Sequence, residues 1–456
     1  MSEALQPHIP FLTSGSYPVR AGNTLRPLID GENAFRRICE AVETARHSVW
    51  LTVAFIADLQ MPDGRGQPFD VLDRAVARGL DVRVLFWRPN SDQYVTSTFG
   101  GTPANRETLR GRGSRFRVRW DRAPGKYCQH QKSWVIDAGH PSETAFVGGM
   151  NLTAKGMGSQ GHAGGISRHD IYLEVTGPSA ADVHHNFVQR WNEASERALS
   201  NGEWEDDGRE ALPFPKLLSR SHGSSLVQIQ RQMPAGRYSD ARPSPGGQPY
   251  AIADGERSIL EQYIKAIDAA RRSIYIENQA LPVPEISIPL QAALERGVDI
   301  VFLAPAEPEP YVRQDRHSPE QKERFDRIAG LGGYENFLLA GIAAPNAEGQ
   351  RSSIYVHSKM MLVDDGWATI GSCNLHPYSL FGNTEMNVTF WAPEVVRALR
   401  CSLLAEHLGQ DTGTLDDRAA LALYRRTATE NRRRRDGGDT NWQGLAFRLD
   451  PAAYAD

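Results

Sequence analysis

Hydrophobic residues recur along the chain with the spacing of helices and then of strands, and the same succession occurs twice. Residues 41–53 and 266–278 each predict the end of an amphipathic helix, a short turn and a buried strand. Residues 71–86 and 290–303 each predict a further helix, a glycine that ends it and an apolar strand. Strands that alternate with helices are typical of α/β proteins, and the repetition indicates an internal duplication. We therefore expect two similar α-β-α sandwich lobes with mixed, largely parallel sheets.

Composition changes between the two repeats and again after the second. Proline, glycine and charged residues are frequent from about residue 200 to 250, as in connecting segments. An apolar stretch that begins at Leu226 indicates a strand opening the second half. The predicted parts are a first lobe at 1–205, a connector at 206–250, a second lobe at 251–412 and a polar helical C-terminal tail at 413–456.

A short pattern of histidine, lysine and aspartate occurs once in each half. It reads H-x-K-x-x-x-x-D, and its residues are His130, Lys132 and Asp137 in the first half and His357, Lys359 and Asp364 in the second. Each copy is followed by a turn of small residues that ends in an asparagine, Asn151 or Asn374. A chance match does not explain two copies of the pattern that are each followed by the same type of turn. We therefore expect the lobes to pack about a pseudo-twofold axis, with one active site between them.

The residue types of this pattern suit reactions at phosphorus. Side chains two apart on a strand share a face, so each histidine is expected to project beside its lysine. Two ammonium groups and two asparagine amides can bind a phosphate oxyanion, and we expect Gly149 and Ser372 to help bind the substrate. One neutral histidine can attack phosphorus. The other, when protonated, can donate to the leaving oxygen and then deprotonate water or an alcohol.

Four carboxylates accompany these groups. A catalytic histidine needs its second ring nitrogen held, usually by a carboxylate, and Asp170 and Glu385 follow the two asparagines at suitable positions. The sequence leaves open which of them supports which histidine. Asp137 and Asp364 fall on the opposite strand face from the lysines, so we expect them to anchor the following turn.

Composition limits the class of protein. The chain has 456 residues and a net charge of -4, which gives no general attraction to nucleic acid. No cysteine pair has metal-binding spacing, and the four cysteines are expected to be reduced thiols. We see no signal peptide and no apolar run long enough to span a bilayer. The prediction is a cytoplasmic protein, peripheral at a membrane if its substrate is a lipid.

Together these residues resemble the phospholipase D superfamily, and most closely true phospholipases D with transphosphatidylase activity. The resemblance covers roughly residues 30–200 and 225–410 and includes the segment Ile274–Gln279, although Ala280-Leu281 follows it where an aromatic pair is usual. It implies a two-lobed monomer that needs neither a metal nor another cofactor. It also implies cleavage of the distal phosphodiester of a glycerophospholipid, giving phosphatidic acid and a free alcohol. It also implies a phosphohistidine intermediate and transfer to alcohols as well as water. The family's usual assignment makes His130 the nucleophile and His357 the general acid.

Several alternatives stay open at this point. A phosphatidyltransferase such as a soluble cardiolipin synthase would use the same site. A nuclease or other phosphodiesterase is a second alternative, which the net negative charge and the presence of both motifs in one chain disfavour. A non-enzymatic scaffold would predict decay of one half-site, and both are intact. Arginines between 106 and 122 suggest either a solvated edge strand or an anionic-lipid patch, and the charged residues 307–327 either a cap over the site or a surface helix.

Overall fold

The computed structural model describes residues 7–91, 98–163, 168–197 and 210–456. The described part of the first half runs through ten strands and four helices. They are β1 (Arg20–Ile29), α1 (Gly31–Thr44), β2 (Ser48–Val53), β3 (Ile56–Ala57), α2 (Pro68–Ala77), β4 (Asp81–Trp87), α3 (Pro103–Arg112), β5 (Arg117–Asp121), β6 (Ser133–Ile136), β7 (Thr144–Gly148), β8 (Leu152–Thr153), β9 (Arg168–His169), β10 (Ile171–Thr176) and α4 (Ala180–Asn192).

The second half repeats this succession and ends with two further elements. Its elements are β11 (Ser225–Met233), β12 (Glu256–Arg257), α5 (Ser258–Ala269), β13 (Ser273–Asn278), α6 (Pro284–Glu295), β14 (Asp299–Leu303), α7 (Pro310–Arg316), α8 (Lys322–Leu331), β15 (Phe337–Pro345), β16 (Arg351–Val356), β17 (Lys359–Val363), β18 (Trp367–Gly371), α9 (Pro377–Phe381), β19 (Glu385–Trp391), α10 (Pro393–Leu408), α11 (Asp417–Asp436) and β20 (Ala446–Arg448).

One sheet joins the two halves, and its strand order is symmetric about its middle. From one edge the order is β5, β4, β2, β6, β7, β10 and β1, and then β11, β19, β18, β17, β13, β14 and β15. Each strand of the first series therefore has its counterpart at the same distance from the β1–β11 pair. The predicted duplication and pseudo-twofold arrangement are confirmed in this order.

The sheet is mixed, as expected, but antiparallel pairings outnumber parallel ones among the described strands. Parallel pairing is confined in each half to the outer strands, β2–β4–β5 and β13–β14–β15, and to short pairs such as β9–β16. The expectation of largely parallel sheets is therefore wrong. The strands that follow each half-site, β6 with β7 and β17 with β18, are joined by loops too short for the crossover that a parallel pair requires, so each pair is antiparallel.

The hydrophobic core follows the same symmetry. One cluster of buried side chains lies in the first half around Phe35 and Val84, and a second lies in the second half around Ile267 and Phe302. A third cluster includes residues of both halves, from β10 and α4 to β19 and α10. Burial of this shared apolar surface holds the halves together and so fixes the geometry of any site between them.

The connector and the tail contribute to the sheet. β11 lies within the segment expected to be a connector and pairs with both β1 and β19. Residues 198–209, at the boundary between first lobe and connector, lie outside the described residues. The segment expected to be a tail contains α11, and its β20 pairs with β15. Of the helices in the described ranges, none has the length and apolar character needed to cross a bilayer.

The arginine-rich segment before the first half-site is buried more deeply than expected. β5 is an edge strand, yet Arg119 is fully buried within it. The Arg119 guanidinium donates to the carbonyl oxygens of Trp191 and Glu210, each at 2.7 Å, and lies 4.5 Å from the Trp191 ring centroid. The interpretation as a solvated edge strand is therefore wrong for Arg119, because α4 and the chain at Glu210 cover it.

Candidate active site

The histidine of each H-x-K segment lies just before a strand and not within it. β6 begins at Ser133 and β17 at Lys359, so both histidines precede the regular pairing. Their backbone groups bond instead to the opposite half of the chain. The His130 N–H donates to the Thr384 carbonyl oxygen at 3.0 Å, and the His357 N–H donates to that of His169 at 2.8 Å. This exchange explains why the sequence pattern overextended the strands.

Each histidine is held by a carboxylate from the other half. His130 Nδ1 lies 2.9 Å from both Oε1 and Oε2 of Glu385. His357 Nδ1 lies 2.5 Å from Asp170 Oδ2. A carboxylate accepts a hydrogen bond from the Nδ1–H group, which leaves the Nε2 lone pair of a neutral imidazole free for chemistry. The structure thus gives the pairing that the sequence left open.

Both lysines are buried beside their histidines. Lys132 Nζ donates to the His130 carbonyl oxygen at 2.7 Å, and Lys359 Nζ donates to that of His357. Lys359 also donates to Gln279 Oε1 at 3.2 Å. Burial lowers the pKa of Lys132 to about 8 and that of Lys359 to about 7. A bound phosphate anion would favour the charged form of both.

The charges of the two half-sites act on each other. Burial lowers the pKa of His130, although Glu385 opposes this effect. Burial, with Lys359, holds the pKa of His357 well below its usual range, and Lys132 and His130 of the other half lower it further. Burial raises the pKa of Asp170 to about 6. One shared, desolvated site therefore contains both histidines.

The asparagines, Gly149 and Ser372, all expected to help bind the substrate, have different surroundings in the structure. The side-chain oxygens of Asn151 and Asn374 are buried without a hydrogen-bond partner in the part of the chain that the structure describes. A Cβ atom on Gly149 would lie 2.6 Å from Asp170 Oδ1 and 3.0 Å from Lys359 Cδ, so only glycine permits this packing. The Ser372 hydroxyl is placed differently from expectation, because it is buried and donates to Glu385 Oε2 at 2.6 Å.

Asp137 and Asp364 lie at the far ends of their strands. Asp137 Oδ1 accepts backbone N–H groups of Arg46, His47 and Ser48 at 2.8 to 3.3 Å. Asp364 accepts the equivalent groups of residues 271–273 at 2.8 to 2.9 Å. Both residues have a left-handed backbone, with φ of 54° and 53°. Each carboxylate therefore ties its turn to the loop that precedes the neighbouring strand.

Three residues at the site were not assigned a role from the sequence. Gln279 bonds Lys359 and also donates to the Tyr355 hydroxyl at 3.0 Å. The Arg168 guanidinium lies 5.2 Å from the Tyr355 ring centroid, and the Tyr355 ring lies 6.4 Å from that of His357. Gln279 is the last residue of segment 274–279, which is part of the family resemblance. That segment could therefore have indicated a role for Gln279 from the sequence alone.

The charged excursion at residues 307–327 lies beside this group. Glu309, just before α7, has Oε1 3.8 Å from Arg168 Nη2. The Tyr311 ring on α7 lies 5.8 Å from that of His376, which follows Asn374. The excursion therefore borders the site at Glu309 and Tyr311, while its α8 packs on the second half through Phe325.

A second group of titratable residues lies behind His357. Histidine nitrogens and carboxylate oxygens approach within 4.8 Å of one another in two overlapping triads, Asp30, His162 and His169, and His169, Glu277 and His407. Both ring nitrogens of His169 already lie within hydrogen-bonding distance of a carboxylate. A histidine that coordinates a metal keeps only one ring nitrogen for such a partner. We therefore interpret this group as a buried ion-pair cluster.

Comparison with known proteins places the chain among lipid-related relatives. The family model described as "Cardiolipin synthase, PLD-like domain" matches residues 38–191 and 263–405, once in each half. A second model, described as "Phospholipase D", matches residues 154–282. The chain is 25% identical over 386 residues to a cardiolipin synthase A of Pseudomonas entomophila (strain L48), covering 82% of this chain and 66% of the relative.

Two further likenesses agree with the fold. The chain is 24% identical over 451 residues to phospholipase D A of Dictyostelium discoideum, covering 82% of this chain and 33% of the relative. It thus spans between a third and two thirds of the length of these two relatives. A solved phosphatidylserine synthase of Haemophilus influenzae Rd KW20 has the same fold, with a TM-score of 0.55, 13% identity and coverage of 83% of this chain and 85% of that one. The chain belongs to the phospholipase D superfamily.

Proposed function

We propose that the protein is a phospholipase D, which hydrolyses the distal phosphodiester of glycerophospholipids and can also transfer the phosphatidyl group to an alcohol. The observation that carries this proposal is the crossed pairing of His130 with Glu385 and of His357 with Asp170. Two histidines with fixed Nδ1 protons and two buried lysines form a site suited to a phosphodiester anion. The named relatives support a phospholipid as the substrate.

The reaction proceeds in two displacements. His130 Nε2 attacks phosphorus, the bond from phosphorus to the alcohol oxygen breaks, and the leaving oxygen takes a proton from protonated His357. The product is a phosphatidyl group bonded to His130. His357 then removes a proton from water or an alcohol, whose oxygen attacks phosphorus while the phosphorus–nitrogen bond breaks. Because the bound phosphate is anionic, it raises the pKa of His357 and so favours the protonated form that the first step needs.

Other residues stabilise the bound phosphate or position the catalytic histidines. Lys132 and Lys359, with the amides of Asn151 and Asn374, stabilise the phosphorus oxyanions in this scheme. Glu385 and Asp170 fix the histidine tautomers, and Ser372 orients Glu385 through its hydroxyl. Gly149 allows Asp170 and Lys359 to approach. None of these steps uses a metal or another cofactor.

The test supplies mixed phospholipid micelles and a little ethanol to the purified protein, without added metal. Mass spectrometry then measures phosphatidic acid and phosphatidylethanol. We expect both products from the wild type and from His222→Ala, a variant of an exposed histidine outside the site. We expect neither from His130→Ala or His357→Ala. Folded wild-type protein that releases no lipid product would exclude the proposal, and single-stranded DNA would be the next substrate.

A phosphatidyltransferase of the cardiolipin synthase type is the second candidate, supported by the family model that matches both halves. It would use the same residues, with the hydroxyl of a second lipid as the acceptor. Phosphatidylglycerol supplied alone distinguishes the two activities. Cardiolipin and free glycerol would indicate transfer between lipids, whereas phosphatidic acid and free glycerol would indicate hydrolysis.

A further inference from the structure

His169 is buried between two carboxylates that come from different halves of the chain. Its Nδ1 atom lies 3.0 Å from Oδ1 of Asp30, which immediately precedes α1. Its Nε2 atom lies 3.1 Å from Oε2 of Glu277 on β13. The exposed fractions of His169, Asp30 and Glu277 are 1%, 1% and 0%. One imidazole therefore bridges the halves directly behind the proposed active site.

The charges of this bridge compensate one another. Burial alone would lower the pKa of His169, but the charges of Glu277 and Asp30 outweigh it and raise this pKa well above its usual range. His169 in turn holds the pKa of both carboxyls below their usual range, against the effect of burial. Buried charges persist only when they are paired in this way.

The groups that face His169 are also polar. The His162 ring lies 5.6 Å and the His407 ring 5.2 Å from it. Glu277 additionally accepts the Tyr275 hydroxyl at 2.7 Å and the Ser358 hydroxyl at 2.6 Å. Glu406 lies beyond His162, with its Oε1 atom 3.8 Å from His162 Nε2. The Ser358 contact links this cluster to the residue next to His357.

The backbone of His169 supports His357 directly. The His169 carbonyl oxygen accepts the N–H groups of His357 at 2.8 Å and Ser358 at 3.1 Å. β9 pairs with β16, with His169 opposite Val356. The next residue, Asp170, provides the carboxylate for His357 Nδ1. The position of residues 168–170 therefore determines the position of His357.

The equivalent support of His130 in the other half is neutral. Thr384 stands before Glu385 as His169 stands before Asp170, and its carbonyl oxygen accepts the His130 N–H at 3.0 Å. The Thr384 hydroxyl donates to Gln129 Oε1 at 2.6 Å. Thr52 takes the place of Glu277 in the repeat and lies 2.9 Å from the Ser133 hydroxyl. Among the described residues, the position of the His169 bridge to two carboxylates is therefore taken in the first half by hydrogen bonds between uncharged side chains.

We propose that His169 is a positioning residue for His357, which by joining Asp30 to Glu277 across the two halves fixes the segment that carries Asp170. This inference rests on the proposed function, because it takes His357 to act on a phosphodiester. Loss of the bridge would let residues 168–170 shift, so that Asp170 and His357 no longer meet in the geometry that proton transfer requires. The lysine contacts to the substrate would remain.

The first test does not depend on activity. Nitrogen NMR of the protein labelled at histidine reports the protonation of each ring. We expect one histidine that stays doubly protonated from about pH 6 to about pH 8.5, well above the ordinary histidine range, and this signal should be missing in His169→Gln. A wild-type spectrum in which every histidine is neutral at the upper pH, or stoichiometric metal in the purified protein, would overturn the proposal.

The second test measures cleavage of bis(4-nitrophenyl) phosphate, a chromogenic phosphodiester without lipid chains. We expect His169→Gln to lower kcat roughly 10- to 100-fold with little change in KM, as for other residues that orient a catalytic ligand. His185→Gln is the matched control, because His185 is equally buried and bonded through both ring nitrogens, to the Tyr17 hydroxyl and the Arg242 carbonyl oxygen. It should keep the wild-type kcat.

The outcomes separate the bridge from the reaction. A folded His169→Gln protein with kcat within about threefold of wild type, or an equal loss in His185→Gln, would contradict the proposal. If His169→Gln does not fold, His169→Gln/Glu277→Gln replaces it, because this double variant removes one buried charge of each sign, and the same two readings apply. If neither variant folds, the wild-type NMR spectrum alone tests the proposal, which is contradicted if every histidine is neutral at the upper pH. Wild-type protein that cleaves no phosphodiester would contradict the proposed function, while the NMR measurement would still test the bridge.

Discussion

Nδ1 of His357 lies 2.5 Å from Oδ2 of Asp170, although the two residues are 187 positions apart in the chain and belong to different halves. His130 and Glu385 repeat this relationship across 255 positions. Neither half therefore contains a complete pair of histidine and carboxylate. A phosphodiester site of the proposed type exists only when the two halves are packed together.

Replacement of either orienting carboxylate should impair catalysis without unfolding the protein. Asp170→Asn and Glu385→Gln keep the side-chain shape but present an amide that does not hold the histidine tautomer. We expect kcat to fall by roughly 10⁴-fold, the loss seen when the carboxylate behind a catalytic histidine is replaced by an amide, with KM changed far less. Kinetics with the chromogenic diester measure this, and circular dichroism checks the fold. A loss under tenfold would show that these carboxylates are not needed to orient the histidines.

The value of kcat/KM should fall on both the acid and the alkaline side of a maximum. Below about pH 6 Asp170 takes up a proton and no longer accepts the Nδ1 proton of His357, so kcat/KM should fall towards acid. Above about pH 7 Lys359 begins to lose its charge, followed by Lys132 near pH 8, so binding of an anionic substrate should weaken towards alkali. Because a bound anion raises both lysine pKa values, the alkaline limb of kcat should lie at higher pH than that of kcat/KM.

Sulfate provides a check on the alkaline limb, since its charge is constant over this range. Its inhibition constant against the chromogenic diester should rise as the pH passes from about 6 to about 9, as the lysines lose their protons. An inhibition constant that does not change with pH would contradict the assignment of the lysines as the anion-binding groups.

Adding a single methyl group at Gly149 should lower the activity without disturbing the rest of the fold. In Gly149→Ala the new Cβ would lie 2.6 Å from Asp170 Oδ1 and 3.0 Å from Lys359 Cδ, so one of them must move. We expect kcat/KM to fall by about 100-fold, as for a displacement of about 1 Å at an active site. Gly111→Ala is the matched control, because beyond its own helix backbone a Cβ at this position would meet no atom of the described residues within 4 Å. Equal activity of the two variants would refute the tight packing at Gly149.

Asp137 should matter for stability and not for chemistry. Asp137→Ala leaves three backbone N–H groups near Ser48 without their acceptor, and we expect the free energy of unfolding to fall by about 1–3 kcal/mol. Asp58→Ala is the control, since Asp58 has a similar φ of 46° but is exposed. Urea denaturation measures both. A large loss of kcat in folded Asp137→Ala protein would assign Asp137 to the reaction instead.

The duplication, which the strand order confirms, was predictable because it repeats along the chain, and the candidate site residues were proposed for the same reason. The sequence could not predict the crossed pairing of Glu385 and Asp170, since strand position alone does not show which half a carboxylate faces. The strand boundaries at His130 and His357 were overextended because their N–H groups bond to carbonyl oxygens of the other half. The buried contacts of Arg119 and Ser372 depend on elements far along the chain, which local hydrophobic patterns do not report.

The exchange of carboxylates between halves also limits how the protein can be recombined. A substitution near Asp170 in the first half acts on the histidine of the second, and one near Glu385 acts on the histidine of the first. A chimera that joins the first half of this chain to the second half of a relative would therefore pair two histidines with two foreign carboxylates at once. Such a chimera can preserve the fold of each half and still lose activity, so the two halves have to change together.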